Sequence, residues 1–194
     1  MSVHPIRMIF GLGNPGAEYE ATRHNAGVWF LEALQYQERL PAFSHEKKFH
    51  AMVGRWRCDT NDFLLVFPTT FMNRSGQAVA AIAKYFNIAV EEILVVHDEL
   101  DHPAGSVRLK QGGGHGGHNG LRDIIQHLGK DFWRLRLGVG HPGHKHLVTD
   151  YVLHAPSKSD RQLIDDAIAQ TLPFLEEILA GKMAKVMNQL HQSP

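Results

Sequence analysis

Two periodicities take turns along this chain. Residues 6–12 are almost continuously apolar and read as a buried first strand running into glycines. After Thr22, Ala26, Phe30 and Leu34 recur at helical spacing, with Thr22 placed to cap the helix. Residues 47–57 and 63–67 read as strands around the polar turn Asp59-Thr60-Asn61-Asp62, and Pro68 ends the second. Residues 75–86 put Val79, Ile82 and Phe86 on one helical face, and Asn87 closes it. A short apolar strand, 93–96, runs into His97-Asp98-Glu99. Residues 106–111 and 132–139 are further strands, with a helix over 121–128 between them and Gly129 at its C′ position. Ser157-Lys158-Ser159-Asp160 opens a long C-terminal helix that Pro173 kinks or splits, and 182–191 form the last helix. Strands alternating with helices, plus one hairpin, predict an α/β fold. We expect a single domain over residues 1–194, a three-layer sandwich of a twisted mixed β-sheet flanked by helices.

Composition sharpens this only locally. The 194 residues are 43% apolar, enough for one full core. Lys+Arg and Asp+Glu are both 20, so overall charge advertises no polyanionic partner. Yet residues 104–147 hold seven basic residues against Asp123 and Asp131, and such a region steers a polyanion locally. Cys58 is the only cysteine, which excludes an internal disulfide. The first five residues lack a charged segment followed by an apolar one, and no stretch reaches the roughly 18 apolar residues of a membrane span. A soluble, reducing, cytoplasmic setting is expected.

The candidate chemistry centres on His24, just after the loop Gly11-Leu12-Gly13-Asn14-Pro15-Gly16. That loop matches G-x-G-x-x-G, but Pro15 and further residues intervene before the helix, and no strand with an acidic end follows at the dinucleotide-binding distance. The glycines either permit a tight turn or let a substrate approach Asn14. A histidine near a helix N-terminus is disfavoured as a cation, which keeps a neutral base available. Asp98, ending a buried strand, is the candidate acid to fix its tautomer, or else a turn acid. Asn14, Asn73 and Asn119 stand at three loop-to-helix junctions, where they serve either as caps or as uncharged hydrogen-bonding groups around a substrate.

His115 and His118 with Asp98 and Glu99 are metal-ligating types, but the intervening glycines suit a rigid ligand pair poorly and nothing supplies a clear third ligand. No metal or other cofactor is expected. Gly112 to Gly117, five glycines in six residues beside Lys110, suit an anion such as phosphate, or form a flexible connection. Arg134 and Arg136 alternate with Leu135 and Leu137, giving one basic strand face that is either merely solvated or a phosphate track. Cys58 lacks an evident base, Ser75 reads as a cap and there is no G-x-S-x-G elbow, so hydrolysis would use water directly.

Taken together, these stretches resemble the bacterial-type peptidyl-tRNA hydrolases. The resemblance is carried by the glycine loop with Tyr19, by Thr22-Arg23-His24-Asn25-Ala26-Gly27, and by Pro68-Thr69-Thr70-Phe71-Met72-Asn73. It continues through His97-Asp98-Glu99-Leu100-Asp101, the glycine run ending in His118-Asn119-Gly120, and Arg134-Leu135-Arg136-Leu137-Gly138. It implies a monomeric α/β enzyme that cleaves the ester between a peptide and the 3′ ribose of tRNA. By that resemblance His24 is the proton acceptor, Asp98 its support, and Asn14 distinguishes blocked from free aminoacyl-tRNA. Tyr19, Phe71, Asn73 and Asn119 would contact the tRNA end or the peptide, Met72 and His118 would line the cleft, and Lys110 and Arg136 would clamp the 5′ phosphate. The segment 129–133 is shorter than usual, so the place of Arg136 rests on the Arg-Leu-Arg pattern. The alternative is a non-catalytic RNA-binding protein of the same fold, similar to splicing cofactors.

Overall fold

A computed structural model describes residues 4–58 and 61–191. Its centre is a seven-stranded mixed sheet of order β2-β3-β4-β1-β5-β7-β6. These strands are β1 (Met8–Gly11), β2 (Ser44–Glu46), β3 (Ala51–Cys58), β4 (Asn61–Pro68), β5 (Ile93–Glu99), β6 (Val107–Gln111) and β7 (Trp133–Gly138). β4, β1, β5 and β7 run parallel, while β2 and β3 on one side and β6 on the other are antiparallel additions.

The period-2 rule explains why β1 and β5 are apolar throughout. Ile9, Leu94 and Val96 enter one core together with α1 (Ala26–Gln37) and the C-terminal helices, α5 (Lys158–Thr171), α6 (Leu175–Leu179) and α7 (Met183–Leu190). Met8, Phe10, Ile93 and Val95 enter the other, under α2 (Ser75–Tyr85) and α3 (Asn119–Leu128). Strands covered on both faces have no polar side to present. The sheet therefore lies between two helical layers, as expected of a three-layer sandwich.

Several boundaries differ from the sequence reading, for local reasons. The first strand is shorter than 6–12, although Leu12 N continues its pairing by donating to Val96 O, while Ile6 N donates to Leu179 O at the end of α6. The strand expected from residue 47 starts at Ala51, because Lys47–Phe49 form a 3-10 turn and His50 has a left-handed φ of 51°. Asn61 and Asp62 belong to β4, paired with Cys58 and Arg57, and Asp59 and Thr60 lie outside the described residues. β2 is short, polar and exposed, and gave no apolar signal. Residues 148–152, between the last β-strand and the long C-terminal helix, form a short helix, α4 (Val148–Val152), for which the sequence reading gave no element. Pro173 does split the C-terminal helix, through a 3-10 turn over Leu172–Phe174. Among the described residues no helix is long and apolar enough to cross a membrane.

The site follows from this topology. The parallel strands β1, β4 and β5 end on the same edge of the sheet. Their exits deliver Asn14, Met72-Asn73 and Asp98 to one crevice, the usual ligand position of an open α/β sheet.

Candidate active site

His24 occupies a 3-10 turn, Arg23–Asn25, between the glycine loop and α1. Thr22 is its N-cap residue but makes no capping bond; its hydroxyl donates back to the Tyr19 carbonyl at 2.8 Å. The turn is held close to the sheet by glycines, since a Cβ at Gly27 would overlap the Val96 carbonyl oxygen and one at Gly11 would lie 2.5 Å from the Gly27 carbonyl oxygen. Arg23 donates to the carbonyls of Tyr151 and His154 at 2.9 and 3.1 Å, which ties the turn to the end of α4.

This seating brings His24 onto Asp98. Its Nδ1 lies 3.0 Å from both carboxylate oxygens. Both residues are buried, at 8% and 3% exposure. A carboxylate only accepts, so Nδ1 carries the proton and donates, and the Nε2 lone pair is left to act as a base. A second histidine shares the acid: His118 Nε2 is 2.8 Å from Asp98 Oδ1. His118 also caps α3, its Nδ1 accepting from Gly120 N at 3.2 Å and Leu121 N at 3.4 Å. Those two bonds require a lone pair on Nδ1 and place the ring's proton on Nε2, so His118 is a neutral donor to Asp98. A third ring, His97, donates from Nδ1 to the Asp98 carbonyl at 2.7 Å.

The electrostatics follow from burial and these bonds. For His24 burial is the largest single influence and works against the cation, but the Asp98 charge and hydrogen bond together outweigh it, leaving the ring above its ordinary 6.5. The sequence reading had the helix terminus keep this ring uncharged; Asp98 decides the balance instead. Asp98 is likewise opposed by burial yet held well below 3.8 by His24 and His118. His97, fully enclosed, is pushed down to about 3 by burial and by His118 beside it, and stays neutral.

His24, Asp98 and His118 are also the one set of metal-ligating types that the described residues bring together, with ligand atoms within 4.8 Å of one another. A metal on His118 Nε2 would move the ring proton to Nδ1, against two backbone N–H groups. The geometry is that of two N–H donors sharing a carboxylate.

Asn14 is placed by a residue the sequence reading did not single out. Asn25 accepts from Asn14 N at 2.9 Å and donates to Asn14 O at 3.0 Å, mimicking a peptide pair. Asn14 Oδ1 in turn accepts from Met72 N at 2.7 Å, so its carbonyl is occupied and its amide N–H groups remain to bind. Adjacency to His24 was the one sequence signal for Asn25. Met72 itself is buried at 5% exposure, its sulfur under Gly120. Asn73 is exposed in the 3-10 turn Met72–Arg74 and caps no helix. Asn119 is exposed in the first turn of α3 and accepts from Arg122 at 3.0 Å. Tyr19 meets Phe71 edge-on at 6.1 Å, and Phe71 is 55% exposed, an apolar wall open to solvent.

The basic residues lie on the β6–β7 ribbon, next to β5. Lys110 pairs with Arg134 and Arg108 with Arg136, so all four share one face. Lys110 is exposed; Arg136 is half-buried, with Glu99 3.9 Å away. Arg134 does not form a solvated face. It is buried at 3% exposure and donates to the carbonyls of Gly113 and Gly114, both at 2.6 Å, pinning the glycine loop that leads to His118. A cavity of about 360 Å³ lined by Phe49, Arg55, Tyr85 and Phe86 lies on the β2–β3 edge and includes none of the candidate residues.

The peptidyl-tRNA hydrolase family model matches residues 8–194. The chain is 56% identical over 187 residues to the peptidyl-tRNA hydrolase of Coxiella burnetii, with 96% of this chain and 97% of that protein covered. The peptidyl-tRNA hydrolase of Neisseria meningitidis is 56% identical over the same length and coverage. The crystal structure of peptidyl-tRNA hydrolase from Acinetobacter baumannii superposes with a TM-score of 0.94 at 46% identity, covering 99% of this chain and 97% of that one. Identity above half over near-complete length, together with the shared fold, leads to one conclusion: the chain belongs to the peptidyl-tRNA hydrolase family.

Proposed function

We propose that His24 acts as general base on a water molecule that attacks the peptidyl ester. The protein is a peptidyl-tRNA hydrolase, cleaving the ester between peptide and tRNA and so recycling tRNA from prematurely released chains. The observation that carries the mechanism is the 3.0 Å contact of His24 Nδ1 with both Asp98 oxygens, which leaves Nε2 as the basic atom. Water loses a proton to Nε2 as its oxygen bonds to the ester carbon. The carbonyl oxygen takes the negative charge, and the departing 3′ ribose oxygen recovers the proton from His24. Asp98 stabilises the transient imidazolium.

The remaining roles follow from which donors are left over. The Asn14 amide N–H groups, with the carbonyl fixed by Met72, are preorganised toward the substrate. Asn73 and Asn119 hold water and the terminal nucleotide, and Tyr19 and Phe71 receive an apolar part of the substrate. Met72 positions Asn14 through its backbone rather than by lining the cleft with its side chain. Lys110 and Arg136, diagonal neighbours roughly 7–8 Å apart, take a backbone phosphate. The reaction as drawn needs no metal or other cofactor. We read the enzyme as a cytoplasmic monomer whose residues 1–194 form one domain. The test is His24→Ala. Cleavage should fall by about 10²–10⁴-fold or more with tRNA affinity retained; near-normal turnover would end the proposal.

A further inference from the structure

We propose that His118 is a positioning residue that sets the pH range in which His24 can act, by sharing the Asp98 carboxylate with it. This rests on the reading of His24 as the base. Asp98 Oδ1 accepts from His118 at 2.8 Å and also lies 3.0 Å from His24 Nδ1, whereas Oδ2 accepts from His24 alone, at 3.0 Å. The charge that steadies an imidazolium at His24 is therefore partly taken up by a neutral N–H dipole. The two rings are also close, with centroids 4.8 Å apart, so the positive end of the His118 dipole opposes a cation on His24. The groups facing this pair are few. Asp98 comes from β5, and the His97 ring lies 5.2 Å from that of His118 and remains neutral. Arg134 acts on His97 from β7. Removing the His118 N–H gives Asp98 wholly to His24, favours the cation, and moves the loss of activity to higher pH.

The capping role of His118 allows a clean test. His118→Asn and His118→Ser are both strong N-cap types, able to accept from Gly120 and Leu121, but too short to reach Asp98. Each should raise the acidic limb of the kcat/KM profile by about one pH unit, roughly a tenfold further loss of activity below the limb. Titration of the His24 ring by NMR in the free enzyme should move by the same amount. His118→Gln, long enough to restore a donor, should bring the limb most of the way back. A lower plateau with an unmoved limb in both capped variants overturns the inference and reduces His118 to a helix cap. Full activity in His24→Ala would instead overturn the reading beneath it, so the two failures are distinguishable.

Discussion

Replacing Gly27 by Ala tests whether close packing of α1 on the sheet is what seats His24. A Cβ there would overlap the Val96 carbonyl oxygen and stand 2.5 Å from Leu12 N and 2.8 Å from Leu12 O. These are the atoms around the Leu12 N–H to Val96 carbonyl bond of 3.0 Å that extends the β1–β5 pairing. Ordinary contact starts near 3.4 Å, so relief needs about 1 Å of movement by backbone on either side. Overpacking of this kind costs about 1–3 kcal/mol. Helix propensity favours Ala over Gly by about 1 kcal/mol, so with backbone atoms that cannot rotate away the clash takes the upper part of its range and wins by up to about 2 kcal/mol. For a chain of this size about 2 kcal/mol lowers Tm by about 4–8 °C, which is the largest shift expected. The larger effect should be catalytic, because His24 lies within one turn of the displaced residue and a misplacement of about 1 Å can cost on the order of 10²-fold in rate. Thermal unfolding by circular dichroism and steady-state cleavage of peptidyl-tRNA read the two effects separately. Wild-type Tm together with wild-type kcat in Gly27→Ala would refute the idea that this approach positions the imidazole.

Four further outcomes are expected. Asp98→Asn should lower kcat on the order of 10⁴-fold, the loss known when the acid of a Ser-His-Asp triad is amidated, because the amide lets His24 take the wrong tautomer. The pH dependence has opposite signs for the two partners. Asp98, held low, contributes stability above 3.8 that is lost as pH falls through its depressed value, whereas His24, held high, contributes below 6.5 and loses this as pH rises through its raised value. Urea unfolding across that range should therefore flatten at both ends in Asp98→Asn, and an unchanged profile contradicts the pairing. Arg134→Met strips the Gly113 and Gly114 carbonyls of a charged donor, at about 1.5–3 kcal/mol per bond. Amide exchange over residues 112–117 should quicken and KM rise, and unaltered exchange would show that the loop is held by something else. Lys110→Ala and Arg136→Ala should each weaken tRNA binding and reduce the slope of log K against log salt by about 1, whereas an unchanged slope would place the phosphate track elsewhere.

What short-range chemistry dictates could be read from the residues alone. The unbroken apolar runs of β1 and β5 meant burial on both faces, the spacing of Ala26, Phe30 and Leu34 meant a helix, Pro173 meant a break, and Asp98 had to stand at a strand end. Periodicity, capping and turn preferences act over a few residues, so they are legible in a single chain. The sequence could not place β2, whose three polar residues carry no apolar signal and owe their conformation to β3. Nor could it tell that Arg134 faces inward: alternation marked one face as basic, and only the path of the glycine loop made that face an interior. The site itself belongs to the tertiary structure. His24 meets Asp98 across 74 positions, and His118 meets the same carboxylate across 20. Contacts at such separations are decided by which strands lie side by side and where their ends emerge, and no short-range preference encodes either.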